Sequence, residues 1–236
     1  MNKKIIYFFI ISIFFCGSFS AFGNFIFANE VNHIVISEIQ IGGETVYDEF
    51  IELYNPTNSD VSLDEWDLKR KTKSGSESNM LNNIEGVIPA YGYFLIIPRA
   101  NCGDDDNENC YQGLVPADDE YTTDSFLAKD NTILLYDSDG NLVDKVGWGE
   151  AGELRDFEGE VIGINPENNQ SLERININGV IQDLNNNKND FVLQLNPDPQ
   201  NLNNSIDDSG QEGSTQACPP WVEVWSQRLV IWSSGF

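Results

Sequence analysis

The sequence predicts an all-β sandwich of short antiparallel strands, and three observations carry that reading. Apolar and polar residues alternate over short runs, which is the period of a half-buried strand. Clusters of Gly, Pro, Asn and Asp separate the runs as turns do. Almost no stretch spaces its apolar residues as an amphipathic helix requires.

Taken in order, residues 34–39 (IVISEI) form a β-branched strand in which Ile34, Ile36 and Glu38 share one face and Val35, Ser37 and Ile39 the other. Gly42-Gly43 supplies a turn. Residues 49–54 (EFIELY) alternate more cleanly, with Glu49, Ile51 and Leu53 on one face and Phe50, Glu52 and Tyr54 on the other. Asn55-Pro56 ends this strand, because Pro donates nothing to a ladder and restricts the residue before it. Trp66 and Leu68, two apart, are expected to enter the core together. Residues 69–83 are polar and are expected to be a strand end and a loop, with Lys69, Arg70, Lys71 and Lys73 on a solvated strand edge. Residues 87–89 and 90–98 give a strand, a turn and a strongly apolar strand. Residues 114–123 are irregular and acidic, and 125–127 are a short apolar element. Residues 131–136 and 142–148 pair across the hairpin turn DSDGN at 137–141. After a long loop over 149–170, strands follow at 171–175 and 191–195.

The N-terminus bears on compartment. Lys3 and Lys4 precede an apolar run over residues 5–15 broken only by Ser12, and small and polar residues follow, up to Ala28. This is the layout of a secretory signal peptide spanning residues 1–28, with an uncleaved or lipid anchor as the alternative. The apolar run is shorter than the roughly 20 residues of a membrane span. A secreted or cell-surface location follows as the expectation. Cys102 and Cys110 bracket the acidic loop GDDDNEN and are expected to form a disulfide worth on the order of 2 kcal/mol. A zinc site there needs further soft ligands, and the one histidine, His33, is far away in sequence. The expected organisation is a sandwich domain over 29–203, a polar flexible linker over 204–217 and a Trp-rich tail over 218–236. The tail holds the leftover Cys218 and is too short to fold alone, so it reads as a truncated second domain or a shifted reading frame.

Four motifs, in order, resemble one family: residues 34–68 (IVISEIQIGGETVYDEFIELYNPTNSDVSLDEWDL), 137–149 (DSDGNLVDKVGWG), 171–174 (SLER) and 191–203 (FVLQLNPDPQNLN). Together they resemble the lamin tail domain, the small sandwich of nuclear lamins and of many bacterial exported proteins. The resemblance implies an immunoglobulin-like antiparallel β-sandwich with Glu49, Glu52, Asn55 and Trp66 as its structural signature. It implies no catalytic role for the two glutamates. Two positions depart from the pattern. Glu65 stands where the family often has Gly, and Asn168-Asn169-Gln170 stand where it usually has a Gly close before SLER. Asn tolerates the left-handed backbone region, so the second departure is mild.

Composition and chemistry then narrow the function. Thirteen basic residues against 38 acidic ones give a net charge of -25. Such a chain repels nucleic-acid phosphates and anionic membrane surfaces. Nucleophilic catalysis needs a positioned base, and His33 reads as an exposed imidazole at the start of the first strand. Glu49 and Glu52 face opposite sides of their strand, so they do not form an acid/base pair and are expected to hydrogen-bond loop backbone. Calcium is the one candidate cofactor. Oxygen ligands cluster at Asp104-Asp105-Asp106, at 137–141 and at 183–190, with Asp183, Asn185 and Asp190 the best candidates and Asx turns the plain structural explanation. The leading expectation is an exported non-enzymatic module that meets a protein or cell-surface partner, with no nucleic acid among its partners. The rival is an accessory domain of an extracellular hydrolase or nuclease whose catalytic part lies outside this chain.

Overall fold

The alternation of the opening motif becomes a pair of central strands in the computed structural model, which describes residues 31–99, 111, 113, 115–121, 125–150, 156–177 and 179–204. The expected signal peptide, the Cys102 and Cys110 pair, the linker beyond residue 204 and the tail lie outside the described residues. Strands β1 (Val35–Gln40) and β2 (Phe50–Tyr54) are antiparallel, with Ile39 opposite Ile51 and Glu38 opposite Glu52. A bulge between Ile36 and Glu38 breaks the simple alternation. It lets Ile36 and Ile39 both enter the main core and turns Glu38 away from it, which corrects the face assigned from sequence parity.

The remaining strands are β3 (Val61–Ser62), β4 (Trp66–Lys71), β5 (Glu77–Ile84), β6 (Val87–Ile88), β7 (Tyr93–Pro98), β8 (Asp119–Tyr121), β9 (Thr132–Tyr136), β10 (Leu142–Gly147), β11 (Ser171–Arg174), β12 (Asn176–Ile177), β13 (Val180–Ile181) and β14 (Phe191–Gln194). One sheet runs β14-β11-β1-β2-β7-β8, antiparallel except for the β7–β8 pair. The other runs β10-β9-β4-β5 and is antiparallel throughout. Two small ribbons, β12-β13 and β3-β6, and an isolated parallel bridge between Trp148 and Ile162 add to the strand pairing of the described residues. A single turn of helix, α1 (Asn187–Asp190), precedes β14. Among the described residues no helix is long and apolar enough to cross a membrane.

The core lies between the two sheets. Ile36, Ile39, Ile51, Leu53, Phe94, Ile96 and Leu172 of the first sheet pack against Leu68, Met80, Ile84, Ile133, Leu135 and Val146 of the second. Each such buried side chain contributes about 1.5–3 kcal/mol relative to exposure. β1 and β2 are buried on their outer face as well. There Tyr54 and Val35 meet Ile181 of the β12-β13 ribbon, and Phe50 meets Leu95 and Ile97. The six-stranded sheet therefore has a second covered face, which is where its polar site lies.

Several expectations change on the structure. Trp66 only borders the core, and among the described residues Trp148 is the fully buried tryptophan. Residues 77–84, expected as loop, form β5, whose polar side chains alternate with the buried Met80 and Ile84. β4 therefore lies between β5 and β9, so Lys69, Arg70 and Lys71 are not on a sheet edge. Lys69 and Lys71 instead pair with Glu77 and Asp156. Within 114–123, Asp119 to Tyr121 pair in parallel with β7.

Both departures from the family pattern fall at left-handed positions. Glu65 has φ 66° and Asn169 has φ 60°. A side chain with a Cβ is disfavoured there, by roughly 1 kcal/mol or more for residues other than Asn and Asp. Replacement Glu65→Gly is accordingly expected to stabilise the domain by about 0.5–1 kcal/mol after the entropy cost of glycine. A thermal melt checks this, and an unchanged or lower Tm would show that the turn is not strained.

Candidate functional site

Two buried polar assemblies stand out, one between the sheets and one on the outer face of the six-stranded sheet. The first centres on Arg174, the last residue of SLER. Leu172 and Arg174 share a face of β11, and that face points into the sandwich. Arg174 is 1% exposed and sits over the Phe191 ring, with its guanidinium carbon 4.6 Å from the ring centroid. Its Nη2 donates to Asp144 Oδ2 at 2.8 Å and its Nε to the Ile36 carbonyl at 3.0 Å. Asp144 is 1% exposed and accepts in addition from the Ile36 amide at 2.7 Å. β10 belongs to one sheet and β11 and β1 to the other, so this ion pair bolts the two sheets together from within.

The loop after β13 closes around the same arginine. Asp183 lies 3.5 Å from Arg174 Nη1 and 3.2 Å from His33 Nε2. Burial alone would raise the Asp183 pKa, but the His33 hydrogen bond and the Arg174 charge outweigh it and hold it below the ordinary range. The His33 pKa is raised by that same hydrogen bond, against a burial that lowers it. His33 is thus half-buried and held by Asp183, not a free imidazole at a strand end. Asp190 is buried and staples the loop by accepting from Leu184 N and Asn186 N, each at 3.0 Å. Burial raises its pKa. Glu158, from the loop after β10, completes the group, and burial together with Asp144 and Asp183 pushes its pKa up to about 7.

Of the calcium candidates, the structure brings together Asp183 and Asp190, with Glu158 as a third acid whose oxygen lies within 4.8 Å of theirs. Asn185 is exposed at φ 52° and gives its amide to Asp183 Oδ1, the geometry of an Asx turn. At 137–141, Asp137 accepts from the Asp139 and Asn141 amides and closes the hairpin turn. Asn187, fully buried at the start of α1, uses both ends of its amide on the outer edge of β10. Its Oδ1 accepts from Gly147 N at 2.9 Å and its Nδ2 donates to Lys145 O at 3.0 Å.

Three of the four signature residues, Glu49, Glu52 and Asn55, occupy buried bracing positions, and Trp66 is half-buried at the border of the core. Glu49 is 0% exposed, and its carboxylate takes the Leu127 amide on both oxygens at 2.9 and 3.0 Å and the Tyr121 hydroxyl. Burial pushes its pKa up to about 8 despite these donors. Asn55 donates to the carbonyls of Ser59, Ile88 and Pro89 and accepts from Thr57, so it ties the loop after β2 to β6. Glu52 faces outward, opposite to Glu49.

Glu52 is the end of the second assembly. Glu173 of β11, Glu38 of β1 and Glu52 of β2 stand directly opposite one another in register, on one face of the sheet. Glu38 and Glu52 are each 3% exposed. Ser171 Oγ donates to Glu38 and Ser37 Oγ to Glu52, each at 2.5 Å. Gln200 N donates to Glu52 at 2.6 Å, so the exit segment over residues 197–203 lies across the row. Burial pushes the Glu38 pKa up to about 7 and that of Glu52 well above the ordinary range. Beside the row opens a cleft of about 430 Å³, lined by Glu44, Asp48, Phe50, Tyr111, Pro197 and Asp198, among others.

Sequence reasoning missed Asp144, Arg174, Glu158 and Glu38. The signal for the first two was available, since each is a charge at an inward-facing position of a strand and so requires a buried partner. For Glu158 no local signal exists.

Comparison with known proteins places these features. The family model described as Lamin Tail Domain matches residues 28–150, a span that includes Glu49, Asn55, Trp66 and Asp144 and ends before Arg174. Among solved structures, a DUF4876 family protein from Bacteroides thetaiotaomicron is similar at 12% identity, over 81% of this chain and 75% of that one, with a TM-score of 0.49. No curated protein matches. With the family model spanning more than half of the residues, the chain belongs to the lamin tail domain family.

Proposed function

We propose that the chain is an exported, non-enzymatic module that recognises a protein or cell-surface partner, and that the cleft beside β1 and β2 receives a cationic group of that partner. The observation that supports this reading is the make-up of the cleft, whose lining joins the acids Glu44, Asp48 and Asp198 to the apolar Phe50, Tyr111 and Pro197. A lysine or arginine side chain suits such a lining, with its stem against the aromatic residues and its charge toward the acids. The buried acids elsewhere serve internal bracing: Glu49 holds the Leu127 amide and Asp144 holds Arg174. Export rests on the first 28 residues. The test is titration with a lysine-rich and a glutamate-rich peptide at two salt concentrations. The lysine-rich peptide is expected to bind, and Glu44→Gln with Asp198→Asn to weaken it up to about fivefold per charge removed. Equal affinity of native and variant chains would remove the cleft from the interaction.

A second reading, calcium stabilisation, is favoured by the approach of Glu158, Asp183 and Asp190. Calcium there competes with Arg174 and His33 for Asp183. Calorimetric titration with calcium and melts with and without chelator decide it. Binding heat and a Tm raised by calcium are expected, and neither heat nor shift overturns the reading.

A further inference from the structure

The carboxylate row under the exit segment lacks what the Arg174 assembly has, a cation. Facing Glu38 and Glu52 are Glu173 from β11, Asp198 from the exit segment, and Tyr93 and Tyr54 from β7 and β2. Asp118 stands at the far end of the segment, where it accepts from Leu202 N at 3.1 Å. No lysine, arginine or histidine among the described residues forms an ion pair with Glu38, Glu52 or Glu173. Two carboxylates set directly opposite each other across antiparallel strands repel when both are charged, and burial under a cover magnifies this.

The cover itself is light. The exit segment is held by the Asp198 amide on Glu38, Gln200 N on Glu52, a Gln200–Tyr93 side-chain hydrogen bond, Leu202 N on Asp118, the Asn201 side chain on the Pro116 carbonyl at 2.8 Å, and the Leu202 side chain against the core. It follows the last strand and is not itself part of either sheet. It is therefore the part that can move without unmaking the sandwich.

We propose that residues 197–203 form a proton-gated strap, closed over Glu38 and Glu52 while these carboxyls share at least one proton and lifted when both are charged. Closure removes the two groups from water, so the closed form binds more protons than the open one and is favoured at lower pH. The amides of Gln200 and Asp198 donate to the carboxylates and favour their charged forms, but burial is the larger influence on both groups. The ratio of closed to open strap falls by up to tenfold per pH unit for each carboxyl that ionises on opening. Pro197 and Asp198 also line the cleft, so lifting reshapes it, although the gate does not depend on what the cleft binds.

The test is amide hydrogen exchange of the full chain from pH 6 to 9, corrected for the base-catalysed chemical rate. Gln200 and Leu202 are expected to lose protection progressively above about pH 7, while Ile36 and Leu53 keep theirs. In the isosteric pair Glu38→Gln with Glu52→Gln, the strap amides should stay equally protected across the range. A flat native profile overturns the proposal, as does the same decline in native and variant chains. Independently of any variant, the side-chain carboxyl carbon of Glu38 is expected to titrate near pH 7 and that of Glu52 well above the ordinary carboxylate range, and titration of both in that ordinary range overturns it as well.

Discussion

The melting temperature of this domain is expected to fall as pH rises from about 5 to about 9. Burial raises the pKa of Glu38 to about 7, that of Glu158 to about 7 and that of Glu49 to about 8, and Glu52 lies higher than its ordinary value. In the unfolded chain each returns to roughly 4.3. A carboxyl with a raised folded pKa contributes stability that is complete below the unfolded value and is lost as pH climbs through the folded one. For Glu38 and Glu49 the loss is on the order of a few kcal/mol each, a sizeable part of the 5–15 kcal/mol typical of a folded domain. The net charge of -25 adds self-repulsion of the same sign as more acids ionise. Below about pH 4 the trend reverses, because Asp183 has a lowered pKa and its pairing with His33 and Arg174 fails once it is protonated. Calorimetric scans at unit pH intervals check this, and a Tm that is flat or rising between pH 5 and 9 would contradict it.

Arg174→Met is expected to be the most damaging single substitution, at about 3–5 kcal/mol. Methionine fills much of the volume, so the cost comes from Asp144, which is 1% exposed and would be left charged inside the sandwich. The Ile36 carbonyl, at 3.0 Å from Nε, loses its donor in the same step. The double replacement Arg174→Met with Asp144→Leu is expected to recover much of the loss, because removing both charges avoids the orphaned one. Urea unfolding of the native chain and the two variants supplies the comparison. A single substitution costing under about 1 kcal/mol would show that Asp144 finds other partners and that the pair is not what bolts the sheets.

These charges explain where the sequence is legible and where it is not. β2 and β10 show themselves by alternation and β7 and β9 by short apolar runs, in each case bounded by turn residues such as Asn55-Pro56 and the DSDGN hairpin. β5 is hidden because ESNMLNNI carries only three apolar residues, and pairing with β4 makes it a strand. The bulge in β1 is invisible to parity, so Glu38 is assigned to the wrong face. The motifs LVDKV and SLER each hold half of the central ion pair, but 30 residues separate Asp144 from Arg174 and only the fold brings them to 2.8 Å. Glu49 and Glu52 are legible as facing apart. What each grips, Leu127 on one side and Gln200 on the other, depends on loops whose sequence carries no period.

Asn187 has a consequence for how this protein behaves at high concentration. An open strand edge is a template on which a second chain can continue a sheet, the usual first step toward aggregation. By matching the Gly147 amide and the Lys145 carbonyl with one side-chain amide, Asn187 imitates a neighbouring strand that is one residue long. Ile162 takes up the next stretch of the same edge, its amide donating to the Gly147 carbonyl at 3.0 Å, so the growing end at β10 is closed to further chains by residues that belong to the module itself.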